Sequence, residues 1–205
     1  MTHTLLRTGD IESQKKEFCW LVYQSKGIND QDFVEKAQKY IAIIELVGGD
    51  NWGDTKTGSF YQVGPEVIKE NIRDNSRIRG VFAGKEKAAE FLKKVIEQGL
   101  GKSVILSGII SEISQICKDA GITPHSANFS LGVWGRKEKL PTEKVLSIST
   151  MCGHHMVPKK YIEAIKEEVD QGSITPDEGA KKLAGFCYCG IFNPVRCSEI
   201  LSQQK

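Results

Sequence analysis

Hydrophobic residues recur at the spacing of an α-helix in the first third of the chain. Between residues 31 and 47 the apolar positions fall three or four residues apart, as expected for one buried helix face. A similar pattern, with Asp10 as a capping residue, predicts a helix over residues 11–25. Residues 48–64 show no period and are rich in glycine and aromatic side chains, so we expect a loop there. Such a loop is either a surface loop pinned by its aromatic side chains or a lid that binds a partner.

The middle third alternates between short apolar runs and amphipathic stretches. The predicted strands cover residues 78–82, 103–107, 126–134 and 145–150. Helices are predicted over residues 85–98 and from Gly108 to Ala120. Strands separated by helices favour crossover connections, so we expect an α/β fold in which a mostly parallel sheet is flanked by helices.

The last third returns to helical patterns, with helices predicted over residues 158–171, 175–185 and 194–202. Three regions follow from these patterns. Residues 1–75 form a helical N-terminal region that includes the loop 48–64, residues 76–150 form the sheet region, and residues 151–205 form a helical, cysteine-rich region. At 205 residues the three are expected to pack as one compact unit.

Composition narrows the class of protein. The net charge of +2 is too small to indicate binding to nucleic acid or to an anionic membrane. No apolar run reaches the ~18 residues of a membrane-spanning helix. The first residues lack the pattern of a secretory signal, so we expect a cytoplasmic protein. Residues 76–145 are mildly basic, which indicates either a solvated helix face or a site for a small anion.

Cysteines supply the strongest chemical signal. Four of the six lie in the last third, at Cys152, Cys187, Cys189 and Cys197. In a reducing compartment, clustered cysteines favour metal binding or thiol chemistry over disulfides. We therefore expect these four thiols to form one metal site. Cys19 and Cys117 stand alone in amphipathic stretches and are expected to be buried in helices, without a role in the chemistry.

The spacing of these cysteines bears on the metal. Structural zinc sites usually have two to four residues between paired cysteines, whereas only Tyr188 separates Cys187 from Cys189. We therefore expect an iron–sulfur cluster first and zinc second. Two alternative interpretations remain. The cysteines could form a set of redox-active thiols, or they could be buried without any relation to one another.

Histidines and glycines complete the candidate site. His154 and His155 follow Cys152 closely, and either could act as a metal ligand or a general acid or base, although both could also be structural. Gly84, Gly108 and Gly153 each follow a predicted strand. In a parallel sheet these glycines would lie at the carboxyl edge, where a cofactor or ligand binds.

Three functions remain open from the sequence. The first is an enzyme or redox protein whose cluster lies beside a ligand crevice, with a small molecule or a redox protein as its partner. The second is a non-catalytic, metal-stabilised interaction module that uses the loop 48–64 or the basic middle region. The third is an enzyme in which Cys152 is the nucleophile and His154 or His155 is its base.

Overall fold

A five-stranded antiparallel sheet forms the centre of the molecule in a computed structural model that describes residues 6–203. Its strands are β1 (Phe18–Tyr23), β2 (Asn51–Asp54), β3 (Gly58–Ser59), β4 (Ile78–Phe82) and β5 (Ser103–Ser107). Their spatial order is β3-β2-β4-β1-β5, and every neighbouring pair is antiparallel. The expected mostly parallel sheet is therefore wrong.

Helices make the connections between strands that are not neighbours. The helices are α1 (Ile11–Gln14), α2 (Phe33–Leu46), α3 (Phe60–Val63), α4 (Pro65–Glu70), α5 (Lys85–Glu97), α6 (Ile110–Asp119), α7 (Glu143–Ser149), α8 (Lys159–Asp170), α9 (Pro176–Ala184) and α10 (Pro194–Ser202). α2 links β1 to β2 with β4 between them, and α5 links β4 to β5 with β1 between them. This is the split β-α-β arrangement of ferredoxin-like folds. The predicted alternation of strand and helix is confirmed for residues 78–119, but each crossover skips one strand, and an antiparallel strand fills the gap.

Each face of the sheet has its own hydrophobic core. Trp20, Phe82 and Phe91 pack with α2 and α5 in the first core. Cys19 and Val81 point to the opposite face, where they join the second core with α7–α10. Because successive strand residues alternate between faces, β1 is buried on both sides. The C-terminal helices are therefore the covering layer of the second face.

Four predicted elements differ from the structure. Residues 11–25 contain only the short helix α1 and then β1. Residues 48–64 are not a loop but hold β2, β3 and α3. The predicted strand 126–134 is an exposed irregular segment, and the predicted strand 145–150 lies within helix α7. The helices at α2, α5, α6, α8, α9 and α10 and the strands β4 and β5 are confirmed within one or two residues at each end.

A buried ion-pair network joins the start of the described chain to its last helix. The Glu17 carboxylate pairs with Arg7 at 3.0 Å and with Arg196, and all three side chains are less than a tenth exposed. The Arg196 guanidinium also donates to Ser13 Oγ at 2.9 Å and to the Thr8 carbonyl. Asn193 Nδ2 adds a hydrogen bond to the Lys16 carbonyl at 2.9 Å. Residues 6–17 are thereby fixed to α10. Within residues 6–203, no helix has both the length and the apolar character needed to cross a membrane.

Candidate metal centre

Two loops of the C-terminal region bring three cysteines together. Cys152 lies in the turn between α7 and α8, and Cys187 and Cys189 lie in the connection between α9 and α10. α8 and α9 pack against each other as a pair, so the chain returns to the place where the first loop began. All three thiols are buried in the second core, against the sheet.

Backbone packing holds the second loop against the sheet. Gly190 has a φ of +77°, and a Cβ atom at this residue would lie 2.3 Å from the carbonyl carbon of Trp52. Asn51 Nδ2 donates to the Phe192 carbonyl at 2.9 Å, and the Tyr188 hydroxyl donates to the Lys56 carbonyl at 3.0 Å. The residues around Cys187 and Cys189 therefore rest directly on β2 and its following turn, and glycine at 190 permits the close approach.

The three thiols are linked through Cys187. Cys187 hydrogen-bonds with Cys152 and with Cys189, and these bonds raise the pKa of Cys187 well above its ordinary value. The same bonds lower the pKa of Cys152 to about 6 and the pKa of Cys189 to about 5. The hydrogen bonds among the three thiols thus shift the pKa of Cys187 upward and the pKa values of its two neighbours downward.

Backbone N–H groups point at the sulfurs. The N–H groups of Met156 and His154 stabilise the Cys152 thiolate, and the N–H of Ile191 stabilises that of Cys189. The N–H of Phe192 donates to Cys187 Sγ at 3.3 Å. Both loops therefore wrap their amides around sulfur, which favours the charged thiolate form over the neutral thiol.

The two histidines have different positions. His154 Nδ1 lies 3.6 Å from Cys189 Sγ, although the residue is exposed overall. His155 is also exposed and has a φ of +53°, an uncommon conformation for a residue with a side chain. Of the two histidines, His154 is the one whose contact with a thiol is seen.

Two arginines contribute positive charge beside buried cysteines on this face of the sheet. Arg79 of β4 is 4 % exposed, and it forms a hydrogen bond and a charge interaction with Cys189. Arg7 donates to Cys19 Sγ at 3.0 Å. Burial lowers the pKa of Arg79, and the charge of Cys189 opposes that shift. The sequence patterns did not single out either arginine, because a charged residue inside an apolar strand becomes informative only when its partner is known.

The other three cysteines lie outside this group. Burial raises the pKa of Cys197, and the charges that act on it belong to Arg196 and Glu17, not to the three clustered cysteines. Cys117 is buried in α6 on the opposite core, as expected. Cys19 is buried but lies on β1, not in a helix; burial raises its pKa to about 11, and Cys189 is among the charges acting on it.

The glycines do not share a carboxyl edge of a parallel sheet, because the sheet is antiparallel. Gly84 and Gly108 follow β4 and β5, whose ends both pair with the start of β1. Gly153 follows helix α7 and not a strand. The expected crevice built on Gly84, Gly108 and Gly153 therefore loses its structural basis.

Within residues 6–203, no set of three or more Cys, His, Asp and Glu side chains is arranged so that it could hold a metal ion directly. Comparison of the chain with protein-family models, with curated proteins and with solved structures gave no match.

Proposed function

We propose that this protein binds a transition metal ion through Cys152, Cys187, Cys189 and His154, and that the metal fastens the C-terminal helices to the sheet. Three thiolates and one imidazole form a donor set that zinc uses in structural sites. One observation carries the proposal above all others: Cys187 shares hydrogen bonds with both Cys152 and Cys189, so three sulfurs from two loops meet at one place.

The opposite pKa shifts of the three neighbouring thiols support this proposal. The pKa of Cys187 is raised beside two thiols whose pKa values are lowered, and three adjacent thiolates without a proton or a cation would repel each other. A metal ion would replace a thiol proton and offset most of the negative charge of the three sulfurs. Metal binding would then release a proton, as expected when thiols become ligands. The N–H bonds to all three sulfurs would remain in the bound state.

A local rearrangement is required, because the side chains do not form a complete metal site as they stand. The turn after Cys152 is the part that can supply it. His154, His155 and Met156 are exposed, whereas the three thiols are buried against the sheet. A change in the side-chain position of His154 would bring its imidazole to the shared sulfurs as the fourth donor.

The charges on this side of the sheet also favour an anionic centre. Arg7, Arg79 and Arg196 carry three positive charges there, and Glu17 and Asp54 are the carboxylates that act on them. A metal held by three thiolates and a neutral imidazole has a net charge of about −1 when the metal is divalent. Such a centre would place its negative charge near these arginines, of which Arg79 already interacts with Cys189.

An iron–sulfur cluster is the second candidate. The N–H bonds to sulfur favour it, because such bonds stabilise and tune these clusters. The position of Cys197 beside Arg196 and Glu17 argues against a cluster with four thiolates. We therefore place zinc first and the cluster second, and His154 becomes a ligand in this proposal, not an acid or base.

Metal analysis of protein purified without oxygen tests the proposal. Bound zinc in a colourless protein supports it. Iron with inorganic sulfide and a broad visible absorption band would replace zinc by the cluster. Metal-free protein that does not take up zinc, cobalt or iron in titrations would overturn metal binding, and the reading of Cys152 as a nucleophile would take its place.

The two neighbouring histidines provide a matched pair for the fourth ligand. His154→Ala should lower metal affinity by about 10-fold to 100-fold or more, since even a group that only supports a ligand has that effect. His155→Ala should leave affinity unchanged. Competition with a chromophoric chelator measures both, and equal affinities for the two variants would exclude His154 as a ligand.

A further inference from the structure

The segment between α6 and α7 exposes large apolar side chains. Residues 123–140 have no regular structure apart from one 3₁₀ turn at Lys137–Lys139, and nearly all of them are exposed. Phe129 is 65 % exposed, Leu131 is 85 % exposed and Trp134 is 80 % exposed. Three such side chains within six residues are unusual on a surface that faces only water, and they indicate a binding surface.

A local turn presents two of these side chains together. The Trp134 indole N–H donates to the Leu131 carbonyl at 2.7 Å, and the Gly132 N–H donates to Ser130 Oγ at 3.1 Å. Gly132 and Gly135 have φ values of +80° and +88°, which favour glycine. Because the indole N–H already has an acceptor within the turn, Trp134 can enter an apolar medium without losing a hydrogen bond.

The charges around this turn are mainly positive. The sequence has no acidic side chain between Asp119 and Glu138, and three cations, Arg136, Lys137 and Lys139, follow Trp134 within five residues with only Glu138 among them. All three of these cations are exposed. Apolar side chains that include tryptophan, next to exposed lysine and arginine, are typical of segments that insert into the surface of an anionic membrane. The whole-chain charge of +2 conceals this local excess.

A second copy of the chain fits this surface less well. In a two-fold dimer the same patch lies on both sides of the interface, so the net positive charge of residues 136–139 would meet a charge of the same sign. Anionic lipid headgroups would instead attract this positive charge, while the hydrocarbon boundary would accept Leu131 and Trp134.

We propose that residues 129–139 dock this protein on the surface of an anionic lipid bilayer, with Phe129, Leu131 and Trp134 inserted and the three cations at the headgroups. The protein would lie on the membrane without crossing it. This inference is independent of metal binding.

Vesicle binding tests the inference with the full chain. Phosphatidylcholine vesicles with phosphatidylserine should bind the protein, and pure phosphatidylcholine should bind it much more weakly. Trp20 and Trp52 are buried, so a blue shift of tryptophan fluorescence on binding would report on Trp134. Added salt should weaken binding, because it screens the attraction to the headgroups.

A matched pair of variants distinguishes binding through this surface from non-specific binding through any exposed apolar side chain. Leu131 and Ile28 are both 85 % exposed, and Ile28 lies outside the segment. Leu131→Asp should reduce vesicle binding by about tenfold or more, given the transfer free energy of one leucine side chain. Ile28→Asp should bind as the wild type does. Equal losses in both variants, or no binding to anionic vesicles, would overturn the inference. A dimer that Leu131→Asp dissociates, without vesicle binding, would show that the surface joins two copies instead.

Discussion

Cys187 differs from its two neighbours because it hydrogen-bonds with both of them, and its pKa rises while theirs fall. Cys152 and Cys189 are stabilised as thiolates by their hydrogen bonds with Cys187 and by backbone N–H groups. Arg79 adds a positive charge beside Cys189. Burial alone would raise the pKa of all three thiols. The low pKa values of two of them therefore follow from specific donors and not from the apolar surroundings.

Thiolate titration of the metal-free protein tests this assignment. An ordinary cysteine ionises near pH 9, whereas the pKa of Cys152 is lowered to about 6 and that of Cys189 to about 5. Ultraviolet thiolate absorbance should therefore rise as the pH increases through this acidic range. Cys189→Ser should remove the lowest step. A single transition near pH 9 in the folded protein would contradict the hydrogen-bonded arrangement.

Gly190 is the residue on which the position of the second loop depends most directly. Gly190→Ala would place a Cβ atom against the backbone of Trp52 and Gly53, in addition to the strain of its positive φ. We expect a loss of about 2–4 kcal/mol in the free energy of unfolding, combining overpacking with left-handed strain. Gly172→Ala is the matched control, since Gly172 has a φ of +71° but no atom near the added Cβ.

The control should cost only about 1–2 kcal/mol, the strain of the left-handed conformation. Urea denaturation measures both variants. If Gly190→Ala cost no more than Gly172→Ala, the loop would not be packed tightly on β2.

At the scale of elements, the sequence predicted the type of an element when one of its faces is buried, but not when both of its faces are buried. α2 and α5 each have a clear apolar stripe and were predicted within two residues. β1 is buried on both faces, so its continuous run of apolar residues has no alternation and fits a helix or a strand equally well. Residues 126–134 alternate like a strand, yet their apolar side chains are exposed and no partner strand pairs with them in the structure.

The network that joins residues 6–17 to α10 should be essential to the stability of the fold. Glu17→Gln removes the carboxylate that pairs with both Arg7 and Arg196, and Arg196 is fully buried. Removing the charge that offsets these buried cations should cost about 3–5 kcal/mol. The same substitution at Glu199, whose pair with Lys16 is exposed, should cost less than about 1 kcal/mol.

Thermal and urea unfolding of the two variants compares a buried ion pair with an exposed ion pair, both of which join residues 16–17 to α10. Similar losses for Glu17→Gln and Glu199→Gln would show that the buried network contributes little.

At the scale of the whole molecule, the sheet separates two hydrophobic cores that differ in composition. The core on the α2 and α5 side is formed by aliphatic and aromatic packing, whereas the other core contains five of the six cysteines and the buried ion pairs. The metal proposed at Cys152, Cys187 and Cys189 lies where two C-terminal loops meet the sheet. Its loss should therefore destabilise α7–α10 before the remainder of the protein.

The candidate site was only partly predictable. Clustering along the sequence indicated Cys152, Cys187 and Cys189, because a helical hairpin is the simplest way to return the chain to its start. Cys197 was included for the same reason, but as part of α10 its side chain lies beside Arg196 and Glu17. Arg79 became part of the site only through the strand order, which places β4 beneath the loop, and single-sequence patterns do not reveal long-range strand pairing.

The most direct test is the metal content of two variants carrying the same substitution. Cys187 and Cys197 are both fully buried thiols in the second core, but only Cys187 hydrogen-bonds to other cysteines. Cys187→Ser should lose the bound metal that the wild type carries, and Cys197→Ser should keep it, provided that circular dichroism shows both variants folded. Retention of metal by folded Cys187→Ser, or loss of metal from folded Cys197→Ser, would contradict a centre built on Cys152, Cys187, Cys189 and His154.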